Sequence, residues 1–161
     1  MSGLEQKRLE NQQRVLVFIW LGFISSLFVY LLLPALVLSN QPTNADLPLD
    51  FLRNVFWVAM LINLGVLLWW RGRYLSKETI LQELVQGDGL TAVSNFLTRK
   101  IVGFAIAESI AIQGLVLVLL GRYLWDQYIF TGISGALLIQ LYPSRSFFEE
   151  LLRELQGRGI S

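Results

Sequence analysis

Residues 101–120 read IVGFAIAESIAIQGLVLVLL, twenty residues with a single charge, Glu108, near the middle. A helix rises about 1.5 Å per residue, so this stretch spans about 30 Å, the thickness of a bilayer's hydrocarbon core. The stretch therefore predicts a transmembrane helix. A carboxyl at that depth is energetically costly, which makes Glu108 the first candidate for a functional residue.

The composition supports a membrane protein. Hydrophobic residues make up 54% of the 161 residues and charged residues 16%, against about 25% charged in soluble domains. The chain contains neither Cys nor His, which excludes disulfides, thiolate nucleophiles and imidazole acid–base chemistry. A net charge of +1 gives no field that would recruit nucleic acid. We predict no enzymatic activity, no cofactor and no metal site.

The hydropathy pattern predicts one all-α membrane domain over residues 1–161. Because the loops are short, neighbouring spans should form an antiparallel four-helix bundle. The predicted spans are residues 15–38, 51–71, 100–120 and 123–142. Amphipathic surface helices are predicted over residues 75–98, as two short helices, and over 146–156. These helices lie either on the membrane surface or against a partner. Pro34 is expected to kink or end the first span.

The distribution of Lys and Arg residues predicts the orientation of the chain in the membrane. With a cytoplasmic N-terminus, eleven of the thirteen Lys and Arg residues lie on the cytoplasmic side, and only Arg53 and Arg122 lie outside. This distribution follows the positive-inside rule. It predicts a multi-pass protein of a bacterial-type inner membrane with both termini in the cytoplasm.

Depth counting suggests neighbours for Glu108. Glu108 lies eight residues beyond Lys100, about 12 Å into the membrane. The same depth falls near Asn63 in the second span, near Thr131 and Ser134 in the fourth, and near residues 22–26 in the first. Burial favours the protonated carboxyl, which could donate to Asn63 or to a hydroxyl. Two interpretations stay open: a polar contact that joins helices, and reversible protonation or cation binding.

Small residues follow one face of the third span and let another backbone approach closely. We expect the third and fourth spans to pack tightly there, against Thr131, Gly132, Gly135 and Ala136. The predicted helix-packing residues are Gly103, Ala107, Ala111, Gly114 and Gly135.

Residues 104–119, FAIAESIAIQGLVLVL, resemble the ion-binding helix of the c subunit (proteolipid) of rotary ATP synthases. The likeness is carried by Ala107-Glu108-Ser109, Ala111-Ile112 and Gly114-Leu115-Val116. It implies that Glu108 is the proton- or sodium-binding carboxylate and Ser109 its neighbouring ligand. Family members often have Tyr at the position of Gln113. The rest of the chain is more like a small four-span bacterial membrane protein.

These observations lead to two functional hypotheses. The first is a non-enzymatic accessory, assembly or structural component of a membrane complex, either a homo-oligomer or a subunit of a larger assembly in the bilayer. The alternative is a proton- or cation-coupled translocation protein. Its candidate ion- or proton-binding residues are Glu108, Ser109, Asn63, Gln113, Thr131 and Ser134. An enzyme is less favoured, because Glu108, Asp126 and Asp50 share no depth and form no carboxylate pair.

Overall fold

The computed structural model describes residues 3–37, 49–76, 78–79, 82 and 89–143. Its long helices are α1 (Gly3–Val37), α2 (Leu49–Tyr74), α3 (Gly89–Gly121) and α4 (Leu124–Gln140). Within the described ranges the chain forms helices and no strand. The all-α prediction is therefore confirmed for this part of the chain.

Three helices of the described chain are long and apolar enough to cross a membrane. They contain the segments Asn11–Val37, Leu49–Tyr74 and Ser94–Gly121, which match the first three predicted spans. The fourth predicted span, 123–142, corresponds to α4, whose seventeen residues measure about 26 Å. By length α4 falls short of these three helices, so a fourth span stays a prediction.

The amphipathic stretch and the third span were predicted as separate helices, with a boundary between residues 98 and 100. The structure joins residues 89–121 in one helix of 33 residues. The separation was wrong because no Gly or Pro between Leu90 and Val102 interrupts the helical hydrogen bonds. Likewise α1 continues past Pro34 to Val37 rather than ending at the proline. The predicted helix 146–156 lies outside the described residues, as do residues 38–48 and 83–88.

The connection between α3 and α4 is two residues long. Arg122 has φ 58°, the left-handed conformation that commonly ends a helix, and its amide donates to the Val118 carbonyl at 2.9 Å. Because α4 begins at Leu124, the polar residues Asp126 and Gln127 belong to its first turn. Both side chains are buried.

The core lies between α3 and α4. A Cβ added to Gly114 would lie 2.8 Å from the Phe130 Cβ and 3.1 Å from the Gln127 Cα, so the two backbones come close there. Ala107 and Ala111 are fully buried, and Gly103 faces the Leu141 side chain. The larger side chains of this core are Phe104, Ile110, Leu117, Phe130 and Leu138.

The helices α1 and α2 both pack on α3, and α1 also contacts α4. On the α2 side, Trp70 donates to the Arg99 carbonyl and Asn63 donates to Ser109. On the α1 side, the Phe23 and Phe104 rings lie 5.8 Å apart. These contacts place Glu108 in the middle of α3, within reach of α1.

Candidate functional site

Glu108 binds two hydroxyls of α1. Its Oε1 accepts a hydrogen bond from Ser26 Oγ at 2.5 Å and one from the Tyr30 hydroxyl at 2.8 Å. Ser26 and Tyr30 are four residues apart, so one face of α1 presents both donors. We call these three residues the Glu108 site. All three are partly buried.

The hydrogen-bond pattern suits both protonation states of Glu108. Ser26 Oγ lies 2.5 Å from Glu108 Oε1 and 2.7 Å from the Phe23 carbonyl oxygen, but its hydroxyl carries one proton. When the carboxyl is ionised, Ser26 and Tyr30 both donate to it. When the carboxyl is protonated, it donates to Ser26 and Ser26 donates to Phe23, while Tyr30 still donates to Glu108. The single proton of the Ser26 hydroxyl thus has two acceptors within hydrogen-bond distance, Glu108 Oε1 and the Phe23 carbonyl oxygen.

Tyr30 also links the Glu108 site to α4. The Gln127 side-chain amide donates to the Tyr30 backbone carbonyl. Because Gln127 is almost fully buried, at 1% exposure, this bond lies in the interior. Three helices therefore meet through polar contacts around Tyr30.

Ser109 faces a different helix from Glu108. Its hydroxyl donates to the Ile106 carbonyl at 2.7 Å and accepts from Asn63 Nδ2 at 3.3 Å. Successive residues on a helix are turned by about 100°, so Glu108 points to α1 and Ser109 to α2. Asn63 was expected beside Glu108, but the structure pairs it with Ser109.

The other three predicted site residues lie in the interior without contacting Glu108 through a hydrogen bond. Thr131 is 5% exposed and Ser134 is fully buried. Among the described residues, the Thr131 and Ser134 hydroxyls and the Gln113 and Gln127 side-chain carbonyl oxygens have no hydrogen-bond partner. The structure thus brings Asn63 and Ser109 together and joins none of the predicted set to Glu108 by a hydrogen bond.

The predicted packing surface of α4 differs from the observed one. Gly132 and Ala136 are exposed, and no described atom would lie within 4 Å of a Cβ added at Gly132. Gly135 faces the Leu27 side chain of α1, 3.6 Å from an added Cβ. Of the four expected residues Thr131 is buried, whereas the prediction was wrong for Gly132 and Ala136, because α4 presents Phe130 and Gln127 to α3 at Gly114.

A second polar site lies near the C-terminal end of α3. Arg53 and Asp126 form a two-point ion pair, with Nε 2.6 Å from Oδ2 and Nη2 3.0 Å from Oδ1. The Asp126 side chain is 2% exposed and that of Arg53 44%. The guanidinium also lies over the Tyr123 ring at 5.1 Å, and the Tyr123 hydroxyl donates to Asp50 at 3.0 Å. This cluster joins the first turns of α2 and α4.

Sequence reasoning missed several residues of these two sites. Tyr30 had a detectable signal, because it follows Ser26 by one helical turn and Ser26 falls within the depth range counted for the first span. The sequence indicated the pairing of Arg53 with Asp126 more weakly, through the position of both residues near the predicted outer ends of their spans. Gln127 fell inside the predicted span 123–142, but nothing in the sequence indicated its contact with Tyr30.

The described residues contain no group of three or more Asp or Glu residues that could hold a metal ion. No protein-family model, curated protein or solved structure matches this chain. The resemblance of residues 104–119 to the c subunit of rotary ATP synthases therefore stays a prediction.

Proposed function

We propose that this protein is a non-enzymatic component of a membrane assembly, with four spans in an antiparallel bundle and both termini in the cytoplasm. The order of contacts supports the antiparallel arrangement, because the residue numbers of the partners in α2 and α4 decrease as those in α3 increase. Asn63 pairs with Ser109 and Trp70 with Arg99, while Gly103 faces Leu141 and Gly114 faces Phe130. Seventeen residues, the length of α4, is the lower limit for a spanning helix.

The observation that carries this proposal is the pair of hydroxyls on Glu108. Ser26 and Tyr30 occupy Oε1, so α1 uses the carboxyl as an anchor on α3. A hydrogen bond between membrane helices contributes about 0.6–2 kcal/mol, and two of them hold a helix that packs through one face only. The Glu108 site therefore acts first as a structural contact between helices.

The outer faces of α1 and α2 supply a surface for lipid and for other subunits. Large apolar side chains are exposed along both helices, among them Phe18 at 72%, Leu36 at 77% and Trp69 at 60%. Such a surface is stable only when lipid or another hydrophobic surface covers it. A component of a larger assembly would use part of it for subunit contacts.

Native electrophoresis tests the assembly. Membranes containing the full chain are solubilised in mild detergent, and the size of the particle is compared with the 18.3 kDa chain. We expect a particle of several subunits that chemical crosslinking inside the intact membrane reproduces. A single chain in the detergent and no crosslinked product in the membrane would contradict the proposal.

Two substitutions test the anchor. Glu108→Gln keeps a carbonyl oxygen that accepts from Ser26 and Tyr30, whereas Glu108→Ala removes both contacts. We expect Glu108→Ala to lower the free energy of unfolding by about 1–3 kcal/mol and Glu108→Gln to stay close to the natural chain. Equal losses in both variants would contradict an anchor made of hydrogen bonds.

Proton- or cation-coupled translocation is the second candidate. The observation that favours it is that the hydrogen bonds of Ser26 suit both the ionised and the protonated Glu108. The test is a proton-flux assay in proteoliposomes, with Glu108→Gln as the variant that keeps the helix contact but cannot titrate. Flux that is lost in Glu108→Gln while the assembly stays intact would favour this candidate over a purely structural role.

A further inference from the structure

The buried face of α4 carries a row of polar side chains. Gln127, Thr131 and Ser134 follow one another at spacings of four and three residues, so they lie on one face of the helix. Their exposures are 1%, 5% and 0%.

Each of these side chains has an oxygen atom whose surface is inaccessible and which has no hydrogen-bond partner among the described residues. A buried polar atom left unpaired costs about 1–3 kcal/mol. Proteins usually meet this cost with bound water, which makes two to four hydrogen bonds to such groups. The side-chain carbonyl oxygen of Gln127 needs a donor, and water supplies one while also accepting from the two hydroxyls.

The spacing distinguishes water from a single cation. Gln127 and Ser134 are seven residues apart, about 10 Å along the helix axis. A bound cation needs several oxygens at about 2.0–2.6 Å from one point, which a row of this length does not provide. A row of separate oxygens suits a chain of water molecules instead.

We propose that Gln127, Thr131 and Ser134 line a file of bound water molecules that leads from the first turn of α4 to the depth of Glu108. Ser134 precedes Gly135, which contacts Leu27, and Leu27 follows Ser26 of the Glu108 site. The inner end of this water file therefore lies at the level of the carboxyl. Its outer end lies beside Asp126, whose partner Arg53 is 44% exposed.

The water file is open towards one membrane face only. The next residue on the same face of α4 is Leu138, which is fully buried in one apolar core with Phe104 and Leu141. Lys100 Nζ donates to the Leu141 carbonyl at 3.1 Å at that end. Which face is open rests on the orientation in the proposed function, where the first turn of α4 lies outside.

Single cysteines test this inference, because the chain has none of its own. Thr131→Cys and Ser134→Cys are placed in intact membrane vesicles and exposed to a charged thiol reagent that cannot cross the bilayer, first from one side and then from the other. Gly132→Cys and Ala136→Cys are matched controls, because both positions are exposed on the outer surface of α4. A thiol reacts as its thiolate, which forms in water and not in hydrocarbon.

We expect Thr131→Cys and Ser134→Cys to react from the outer side alone, with Thr131→Cys the faster. Their rates should exceed those of the controls by on the order of tenfold, since only they contact water. Adding Gln127→Leu to Ser134→Cys should slow the reaction by a similar factor, because it removes polar groups near the entrance. Each variant is first checked for its natural elution volume and helix content.

Three results would overturn the water file: no reaction at either position in folded protein, equal reaction from both sides, or equal reaction at the controls. A reaction from the cytoplasmic side alone would keep the water file and overturn the proposed orientation. If neither cysteine reacted but the chain still assembled, the water file would be wrong and the proposed function would be unaffected.

Discussion

The contact between α3 and α4 and the attachment of α1 and α2 are built in different ways. At Gly114 the backbone of α3 comes so close to α4 that a methyl group would lie 2.8 Å from the Phe130 Cβ. In contrast, α1 and α2 reach the pair through side-chain hydrogen bonds to Glu108, Ser109 and Asp126. The contact between α3 and α4 thus depends on the absence of a side chain at Gly114, whereas α1 and α2 add hydrogen bonds to apolar contacts such as that between the Phe23 and Phe104 rings.

The two carboxyls that hold the outer helices also differ. Asp126 binds a guanidinium in the first turn of α4, where the Arg53 side chain reaches the surface. Glu108 lies in the middle of its helix and binds only neutral hydroxyls. The partner of Asp126 is thus a cation, whereas the two partners of Glu108 are neutral.

The largest effect is expected from filling the close contact between α3 and α4. Gly114→Leu forces the Phe130 side chain and the Gln127 backbone away, and it should lower the free energy of unfolding by about 3 kcal/mol. Gly132→Leu is the matched control, because a Cβ there meets no described atom within 4 Å and the change should be nearly neutral. Unfolding in mixed micelles followed by circular dichroism measures both. If Gly114→Leu were tolerated like Gly132→Leu, the close contact would not be what holds the pair.

A smaller loss is expected from removing the cation at the end of α2. Arg53→Ala leaves the Asp126 carboxyl, 2% exposed, without its ion-pair partner, so the melting temperature should fall clearly below that of the natural chain. Arg53→Lys should fall in between, since an ammonium keeps the charge but loses the two-point geometry.

The double variant Arg53→Ala/Asp126→Asn distinguishes the cause. It should recover part of the lost thermal stability, because a neutral amide replaces the unpaired charge. A double variant that melts below Arg53→Ala would show that the side chains matter for packing rather than for charge.

The smallest effect is expected where α2 meets Ser109. Asn63→Ala removes one hydrogen bond of 3.3 Å, so the free energy of unfolding should fall by about 0.5 kcal/mol. The corresponding loss for Glu108→Ala serves as the reference. Equal losses in the two variants would place Asn63 in the Glu108 site and remove the distinction between the two faces of α3.

The sequence predicted the features that depend on hydrophobic periodicity and on the length of the apolar segments. Three apolar stretches matched helices able to span a membrane, since apolar length alone decides this property. Counting residues also brought Asn63 and residues 22–26 to the level of Glu108, but depth does not determine the direction in which a side chain points. Asn63 therefore pairs with Ser109, and the contacts of Glu108 are Ser26 and Tyr30.

Helix boundaries and the helix faces that pack together could not be predicted from apolar length and residue counting. The joining of residues 89–121 in one helix depends on hydrogen bonds that continue through polar residues. The contact surface of α4 depends on the rotation of that helix about its axis. A pattern of small residues in one sequence allows either face, so it did not exclude Gly132 and Ala136 from the contact.

The length of α3 has a mechanical consequence. Its 33 residues measure about 50 Å, some 20 Å more than the thickness of a hydrocarbon core. Gly89 lies nineteen residues from Glu108, about 28 Å away, and a tilt of about 10° around the carboxyl would carry that end through roughly 5 Å. A small motion at the point where α1 contacts α3 thus becomes a larger displacement at the far end of the helix.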